Sequence, residues 1–238
     1  LFDMLKYNLK ISSRFEHLRQ HIASILKNDV PPEAEPIYMD RNTVYRLTID
    51  NTPIVIKSFQ VPNLIDSYMQ TVVGKSKSHL SYLNAKRLQQ LGFRTPSPVA
   101  YGEVLNGNRL LRSYYMTEFI SGGDMRGWEN NPDNEPLLRA FAAEMARMHN
   151  AGILHRDFSP GNILFTGTPA LGFNFYHIDL NRMTFDVKSR QKLLSMFGRL
   201  STSRDAIKRL AGYYAEAAGD PSLADDALKA YDEYIRQH

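Results

Sequence analysis

Apolar positions near the start of the chain recur at helical spacing. The residues that set this period are Phe15, Leu18, Ile22 and Ile25. The spacing predicts an amphipathic helix over residues 13–27, and Pro31-Pro32 marks its end. The first half of the chain is therefore predicted to begin with a helix and then to enter a β region.

A first β-hairpin is predicted directly after this helix. Residues 44–49 and 53–59 are apolar and rich in β-branched side chains, and the polar residues 50–52 between them are typical of a turn. This hairpin places Lys57 on its second strand.

A second helix and a second hairpin complete this half of the chain. Leucines at helical spacing predict a helix over residues 76–91, and Gly92 ends it. Residues 101–105 and 110–120 form the second predicted hairpin, with its turn at 106–108.

Helical patterns dominate after Gly122-Gly123. Helical spacing predicts a helix over residues 135–150, and the region from residue 188 to the end favours three more. We therefore predict an α+β protein with two lobes. Residues 1–120 form an N-terminal lobe with a small antiparallel β-sheet and one main helix, and residues 121–238 form a mostly helical C-terminal lobe.

Composition excludes several classes of protein. The 238 residues are 43% hydrophobic, enough to bury a core, and contain no apolar run of the roughly 18 residues that cross a bilayer. The first ten residues lack a signal-peptide cleavage site, so a cytoplasmic protein is predicted. With no cysteine, disulfides and thiolate metal sites are excluded.

The net charge of +4 is unevenly distributed. Residues 182–209 carry many lysines and arginines against only Asp186 and Asp205. This basic stretch is either a solvated helix face or a surface that binds an anion, such as an acceptor that is already phosphorylated. Nucleic acid is disfavoured because aromatic residues are not interleaved with the basic ones.

One motif carries specific chemistry. His155-Arg156-Asp157 followed by Asn162 matches the His-Arg-Asp-x-x-x-x-Asn catalytic loop of kinases, here at residues 155–162. Two short β-like segments follow, and the second ends at Asp179, where the metal-binding aspartate of kinases stands.

Phosphoryl transfer explains why these residue types are needed. The transition state is loose, so the protein must align the reactants and neutralise phosphate charge. Asp157 is predicted to orient the acceptor hydroxyl and accept its proton, while Asn162 and Asp179 ligate Mg²⁺, which takes its other oxygens from ATP and water. Lys57 is predicted to hold the α and β phosphates of ATP.

A second segment, residues 115–125, resembles the strand and hinge between the lobes of kinases. The resemblance makes Thr117 the gatekeeper and directs the carbonyl of Glu118 and the N–H of Ile120 to the adenine edge. It also makes Leu164 and Ile178 part of the apolar floor under the base. Asp124 is left with two interpretations, a contact to ribose or acceptor and a helix cap.

Three departures from protein kinases stand out. No glycine-rich loop precedes the first strand pair, so phosphate contacts are expected from backbone amides near Arg41 and from Asn42 and Thr43. The predicted helix 76–91 contains no acidic residue to pair with Lys57.

Three residues remain as substitutes for that acid: Ser81, Asn84 and Asp66. The third departure is the lack of an Ala-Pro-Glu motif after Asp179, which argues against a protein kinase because peptide docking needs a longer activation segment.

Four stretches together, at residues 41–43, 55–59, 91–98 and 155–162, resemble the bacterial lipopolysaccharide core kinases, the Kdo and heptose kinase family. The resemblance implies a protein-kinase-like fold and ATP-dependent phosphorylation of a sugar hydroxyl in the lipid A-core region. It also implies work at the cytoplasmic face of the inner membrane. We expect a small-molecule or glycolipid acceptor and infer no obligate protein partner.

Two other functions remain open at this point. The missing glycine-rich loop and helix glutamate also suit a pseudokinase or regulatory nucleotide-binding module. The fold equally suits another small-molecule kinase, of the antibiotic or choline type, which only the acceptor distinguishes from a sugar kinase.

Overall fold

The structure, a computed structural model, describes residues 5–59, 74–130 and 134–237. The chain divides into two compact units, one made of Leu1–Gln90 with Pro96–Ile120 and the other of Leu91–Thr95 with Ser121–His238. The short segment 91–95 thus belongs to the second unit although the first unit resumes after it.

An antiparallel sheet of six strands forms the first unit, in the order β1-β5-β6-β4-β3-β2. Its strands are β1 (Leu5–Ile11), β2 (Glu35–Met39), β3 (Asn42–Ile49), β4 (Thr52–Phe59), β5 (Pro98–Asn106) and β6 (Arg109–Glu118). Its helices are α1 (Arg19–Asn28) and α2 (Lys77–Gln90).

The two predicted hairpins are confirmed. In the first, β3 and β4 turn at Asp50 and Asn51, which both have positive φ, at 48° and 60°. Two successive left-handed residues give the turn a twist that matches the twist of the strands, and Asp and Asn tolerate this conformation. In the second, β5 and β6 turn at Gly107, with φ 58°.

The beginning of the chain differs from the prediction. Strand β1 precedes the first helix and pairs with β5, so the unit does not begin with a helix. The predicted helix 13–27 is also interrupted. A 3-10 segment, Ser13–Leu18, is kinked at Phe15, with φ −112° and ψ 18°, and α1 begins only after Leu18, which has φ −84° and ψ 1°.

The two helices cover opposite faces of the sheet. On one face, α1 buries Ile22 and Leu26 against strand residues such as Ile56. Gly102 on β5 permits this approach, because a Cβ there would lie 2.5 Å from Cδ1 of Leu26. On the other face, the Tyr101 ring stacks on His79 of α2, with 4.4 Å between the ring centroids.

A buried carboxylate joins α2 to the sheet. Glu103 on β5 accepts hydrogen bonds from Ser76 Oγ at 2.5 Å and from Asn8 Nδ2 on β1 at 3.1 Å. Ser76 Oγ in turn accepts the backbone N–H of His79 at 3.1 Å, in the first turn of α2. Residues from three elements thereby fix the start of this helix.

The second unit is mostly helical. Its helices are α3 (Glu135–Asn150), α4 (Arg190–Leu194), α5 (Arg204–Ala218) and α6 (Ser222–Gln237). Its short strands are β7 (Gly123–Asp124), β8 (Leu154–His155), β9 (Ile163–Thr168), β10 (Gly172–His177) and β11 (Met183–Thr184). The strands form one sheet in the order β10-β9-β7 and a separate β11-β8 pair.

Helix α3 runs through the core of the second unit. Its residues Phe141 and Met145 are fully buried, as are Phe197 and Leu210 from later in the chain. Within the described ranges, no helix combines the length and the apolar character that crossing a membrane demands.

Candidate active site

The catalytic-loop motif lies between β8 and β9 in the second unit. Strand β8 supplies His155 and pairs with β11, so that His155 lies opposite Met183. A 3-10 turn, Pro160–Asn162, then leads into β9. Both ends of the loop are therefore held by strand pairing.

His155 supports this loop from inside the core. Its Nε2–H donates to the carbonyl oxygen of Ile178 at 2.8 Å, and its Nδ1 accepts the backbone N–H of Asp157 at 3.2 Å. Burial lowers the pKa of His155 to about 4, so the ring is neutral at physiological pH and the two bonds fix its tautomer. A neutral donor-acceptor ring thus links the two segments that carry Asp157 and Asp179.

Phe158 anchors the loop by packing. Its side chain is fully buried and stacks on Phe141 of α3 at 5.9 Å and on His177 of β10 at 6.0 Å between centroids. Glu144 on α3 reaches His177 Nε2 at 3.3 Å and Arg147 at 2.6 Å. The residue after Asp157 is therefore fixed against the main helix of the unit.

Asn162 and Asp179 are brought together by backbone pairing. The Ile178 N–H donates to the Asn162 carbonyl at 3.0 Å, which places Asp179 one residue from this bond. Asn162 Nδ2 donates to the Asp157 carbonyl at 2.8 Å. Because the amide nitrogen is used in this way, the side-chain oxygen is the atom of the Asn162 amide that could ligate a metal.

Asp179 adopts a left-handed conformation, with φ 59° and ψ 52°. A non-glycine residue in this region is uncommon, although Asp and Asn tolerate it best. Such outliers concentrate at functional sites. The carboxylate of Asp179 and the amide oxygen of Asn162 are the hard oxygen donors that Mg²⁺ prefers, and Mg²⁺ needs only one or two protein ligands. These two residues therefore fit a magnesium ion.

The Asp157 carboxylate is engaged by two arginines. Arg182 Nη1 lies 3.0 Å from Oδ1 and 3.3 Å from Oδ2, and Arg199 Nη1 lies 3.9 Å from Oδ1. The Asp157 side chain keeps 21% of its surface exposed. Both arginines belong to the basic stretch at residues 182–209, but no sequence pattern indicates that they pair with Asp157.

The segment after the predicted hinge lies against the catalytic loop. The Met125 N–H donates to the carbonyl oxygens of Pro160 and Ile163 at 3.2 and 3.1 Å. A Cβ on Gly122 would lie 2.3 Å from the carbonyl oxygen of Phe165, so only glycine permits this approach.

Asp124 makes local contacts. Its Oδ1 accepts the Arg126 N–H at 2.8 Å and its Oδ2 pairs with the Arg126 guanidinium at 2.6 Å. Of the two interpretations of Asp124, the structure therefore shows the local backbone cap, made in a turn instead of a helix.

Lys57 lies on the face of the first unit's sheet that α2 covers. In the register of the sheet it is opposite Val44 on β3 and Tyr115 on β6. Its Nζ lies 5.3 Å from the centroid of the Phe59 ring. Burial raises the pKa of the Tyr115 phenol. The lysine thus stands among aromatic side chains in the middle of the sheet.

The remaining first-unit candidates lie at two places. Asn42 and Thr43 begin β3, after a turn in which the Asp40 N–H donates to the Asn42 carbonyl at 3.2 Å. Thr117 is buried near the end of β6, and the side chain of the next residue, Glu118, pairs with Arg14 at 2.9 Å.

Three candidates complete the set. Ile120 is the last residue of the first unit, and Leu164 and Ile178 are half-buried in the second. Asp66, a suggested partner for Lys57, lies outside the described residues. Ser81 Oγ donates to the Lys77 carbonyl at 2.8 Å, within α2 itself.

The fold and the catalytic loop define a phosphotransferase of the protein-kinase-like class. Similar solved structures share this fold. One is described as WaaP in complex with acyl carrier protein, with 17% identity, a TM-score of 0.65 and 97% of each chain covered. Another is the Rio2 kinase-ADP/Mg²⁺-phosphoaspartate complex from Chaetomium thermophilum, with 18% identity, a TM-score of 0.50, and 96% of this chain and 78% of that chain covered.

The sequence model of the lipopolysaccharide kinase (Kdo/WaaP) family matches residues 59–213. The chain belongs to this family. It is a sugar kinase of lipopolysaccharide core biosynthesis, as the resemblance in the sequence implied.

Proposed function

We propose that the chain transfers the γ-phosphoryl group of ATP, with Mg²⁺, to a hydroxyl of a sugar or glycolipid. The main support is the hydrogen-bonded arrangement of the catalytic loop. The Asp157 carbonyl accepts the Asn162 amide, and the Asn162 carbonyl accepts the N–H of the residue before Asp179. Three residues with distinct chemical tasks are thereby held within one hydrogen-bonded network.

Asp157 is the proposed acceptor-binding carboxylate. It accepts a hydrogen bond from the acceptor hydroxyl, orients that oxygen and receives its proton as the new phosphate ester forms. The Arg182 guanidinium holds the carboxylate in place meanwhile, and His155 holds the backbone N–H of the same residue. Arg182 thus holds the side chain of Asp157, and His155 holds its backbone.

Asn162 and Asp179 are the proposed magnesium ligands. A bound Mg²⁺ would neutralise charge on the phosphate oxygens. Asn162 supplies a neutral oxygen and Asp179 an anionic one. The left-handed backbone at Asp179 sets the direction in which its side chain leaves the chain.

The first unit is proposed to bind the nucleotide, as the N-terminal lobe of a kinase, while residues 121–238 act as the C-terminal lobe. Lys57 contacts phosphate oxygens, and the β2-β3 turn with Asn42 and Thr43 takes the place of a glycine-rich loop. In the hinge segment, Thr117 borders the base.

The adenine-binding groups are part of the same proposal. The carbonyl of Glu118 and the N–H of Ile120 bind the adenine edge, and Leu164 and Ile178 contribute apolar surface to the base. For the location of the protein, we propose the cytoplasmic face of the inner membrane, where it associates peripherally.

Acceptor-dependent ADP release tests the function. With Mg-ATP and lipopolysaccharide core oligosaccharide, wild-type protein is expected to turn over, and Asp157→Asn is expected to lose about a thousandfold in kcat because it cannot accept the proton. Asp225→Asn, a change at an exposed aspartate of α6, is the matched control and should leave kcat unchanged.

The two alternatives are separate outcomes of the same experiment. Turnover with aminoglycoside or choline acceptors but not with core oligosaccharide would favour another small-molecule kinase. Nucleotide binding that does not depend on Mg²⁺, with no turnover in either Asp157 variant or wild type, would favour a regulatory module.

A further inference from the structure

A basic depression of about 440 Å³ opens on the second unit beside the catalytic loop. Among its lining residues are Arg156, Lys192, Ser195, Arg199 and Tyr234. Its volume is in the range of small-molecule sites. The depression therefore has both the size and the position of a subsite for part of the acceptor.

The charges in the depression are of one sign. The described residues that line it include three cations and no carboxylate. Lys192 takes part in no ion pair formed within the described ranges, and Arg156 uses its Nε–H for the neutral Oγ1 of Thr184 at 3.3 Å. Cations left without a carboxylate partner around a concave surface favour an anionic ligand.

Neighbouring arginines show the contrast. Arg190, two residues before Lys192, pairs with Asp220 at 2.6 Å, and Arg204 pairs with Asp232 through two contacts of 2.9 and 3.0 Å. Arg190 and Arg204, paired in this way, lie outside the depression, whereas Lys192 and Arg156 line it.

Local packing shapes the wall of the depression. A Cβ on Gly198 would lie 2.3 Å from Cγ of Tyr234, so glycine is required for the ring to pack there. The Arg199 guanidinium lies 5.6 Å from the centroid of the same ring, within reach of a cation–π interaction. Tyr234 thereby holds Arg199 at the border of the depression.

Arg199 joins the depression to the catalytic aspartate. Its Nη1 lies 3.9 Å from Asp157 Oδ1, while Arg182 makes the closer contact at 3.0 Å. A guanidinium has five N–H donors, so Arg199 can bind an anion in the depression and still face Asp157. An anion bound there would be held at a fixed distance from the proton acceptor.

We propose that this depression binds an anionic group, a phosphate or a carboxylate, of the acceptor, through Arg156, Lys192 and Arg199. The proposal rests on the sugar-kinase function above and adds what the enzyme recognises on the acceptor. Binding of the anion fixes the sugar, so that the hydroxyl to be phosphorylated meets Asp157. The reaction that makes the acceptor must therefore introduce the anionic group before this enzyme acts.

Steady-state kinetics with three forms of one acceptor test the proposal. The forms are intact core oligosaccharide, the same material after phosphatase treatment, and the same material after methyl esterification of its carboxylates. For the intact acceptor, Lys192→Gln is expected to raise KM about tenfold because a charged hydrogen-bond partner is lost. Lys192→Arg should restore most of the affinity.

The modified acceptors identify the anion. Whichever treatment removes the recognised group should raise KM for wild type about as much as the substitution does, and Lys192→Gln should then add little. Lys208→Gln, at an exposed lysine of α5 away from the depression, is the matched control and should change neither KM nor kcat. Arg199→Gln should raise KM and also lower kcat.

The outcomes separate this proposal from the proposed function. If wild type phosphorylates the acceptor but Lys192→Gln and Lys208→Gln have the same KM, the depression does not bind the acceptor and the proposal is wrong. The proposal is also wrong if neither treatment of the acceptor changes KM. If wild type phosphorylates no acceptor at all, the kinase function itself fails.

Discussion

In the second unit, Asp157 and Asn162 are fixed by hydrogen bonds between side chain and backbone, and a buried histidine ties this loop to the segment of Asp179. In the first unit, the candidate residues take their places from the register of a sheet, as Lys57 does opposite Tyr115. Proton transfer and metal ligation lose efficiency when a group moves by about an ångström. The nucleotide binding proposed for the first unit uses several dispersed contacts, and such binding tolerates larger displacements of each contacting group. A sheet without a glycine-rich loop is compatible with that requirement.

The largest expected effect is a loss of kcat in the second unit, compared with a change in KM for ATP in the first. Asp179→Asn should lower kcat about a thousandfold because it removes the proposed anionic ligand of Mg²⁺, while Asn suits the left-handed backbone at this position. Asn42→Ala in the first unit should raise KM for ATP less than about tenfold and leave kcat nearly unchanged. Initial rates over a range of ATP concentrations measure both.

The comparison would break if the first-unit variant lost as much kcat as the second-unit variant. Circular dichroism of both proteins controls for unfolding. An Asp179→Asn protein with full activity at high Mg²⁺ would instead show that this carboxylate is not a metal ligand.

The next effect concerns packing under the catalytic loop. Phe158→Ala should destabilise the second unit by about 3–5 kcal/mol, because a fully buried ring with three aromatic neighbours leaves a cavity. Tyr114→Phe in the first unit should cost only about 1 kcal/mol, the value of its 2.8 Å bond to Asp29.

Urea unfolding measures both of these variants. The chain has one tryptophan, Trp128, which is buried in the second unit and donates to the Leu200 carbonyl at 2.9 Å. Its fluorescence therefore reports the second unit, and far-UV circular dichroism reports the whole chain. Phe158→Leu is the control, and an unchanged midpoint for Phe158→Ala would contradict the expectation.

Acid should weaken the second unit more than the first. Burial lowers the pKa of His149 and of His155 to about 4 each. The unfolded chain binds these protons near pH 6.5, whereas the folded chain binds them only near pH 4. The free energy of unfolding is therefore at its full value above pH 6.5 and decreases as the pH falls toward 4. Between pH 7 and pH 5 we expect a loss of roughly 2 kcal/mol for each histidine.

Trp128 fluorescence in urea at several pH values measures this loss. His149→Phe should remove about half of the pH dependence. The first unit offers a weaker counterpart, since burial also lowers the pKa of His79 but its ring is only half-buried. An equal slope in wild type and His149→Phe would show that His149 does not contribute.

The smallest effect lies at the predicted hinge. Arg14→Ala removes the ion pair with Glu118, whose partners are exposed to 68% and 24% at the side chain. Exposed ion pairs contribute little to stability, so the free energy of unfolding should decrease by less than about 1 kcal/mol. A thermal melt, in which the melting temperature should hardly change, measures this. If KM for ATP rose severalfold, the Glu118 side chain and not only its carbonyl would be part of nucleotide binding.

Much of this fold could be predicted because the signals are local. The turn at Asp50-Asn51, the second hairpin and helix α3 each follow from spacing and turn chemistry within about twenty residues. The family resemblance was confirmed by comparison with known proteins. Proposed roles of individual site residues remain predictions.

What the sequence could not show depends on contacts distant along the chain. Strand β1 has apolar residues at every second position, a signal that was available, but its partner β5 lies about ninety residues later. The pairing of Arg182 with Asp157 joins residues 25 apart through the β8-β11 pair, and no local pattern marks it. The hydrogen bond between Ser76 and Glu103 could not be predicted from the sequence either, because it forms only once the sheet is assembled.

Strand β1 has a practical consequence for making the protein. It covers the edge of β5, and its Asn8 holds the carboxylate that fixes the start of α2. A recombinant version that begins after residue 11 would expose an unpaired strand edge, which promotes self-association. Expression plasmids should therefore keep residues 5–11 and carry any affinity tag at the other terminus.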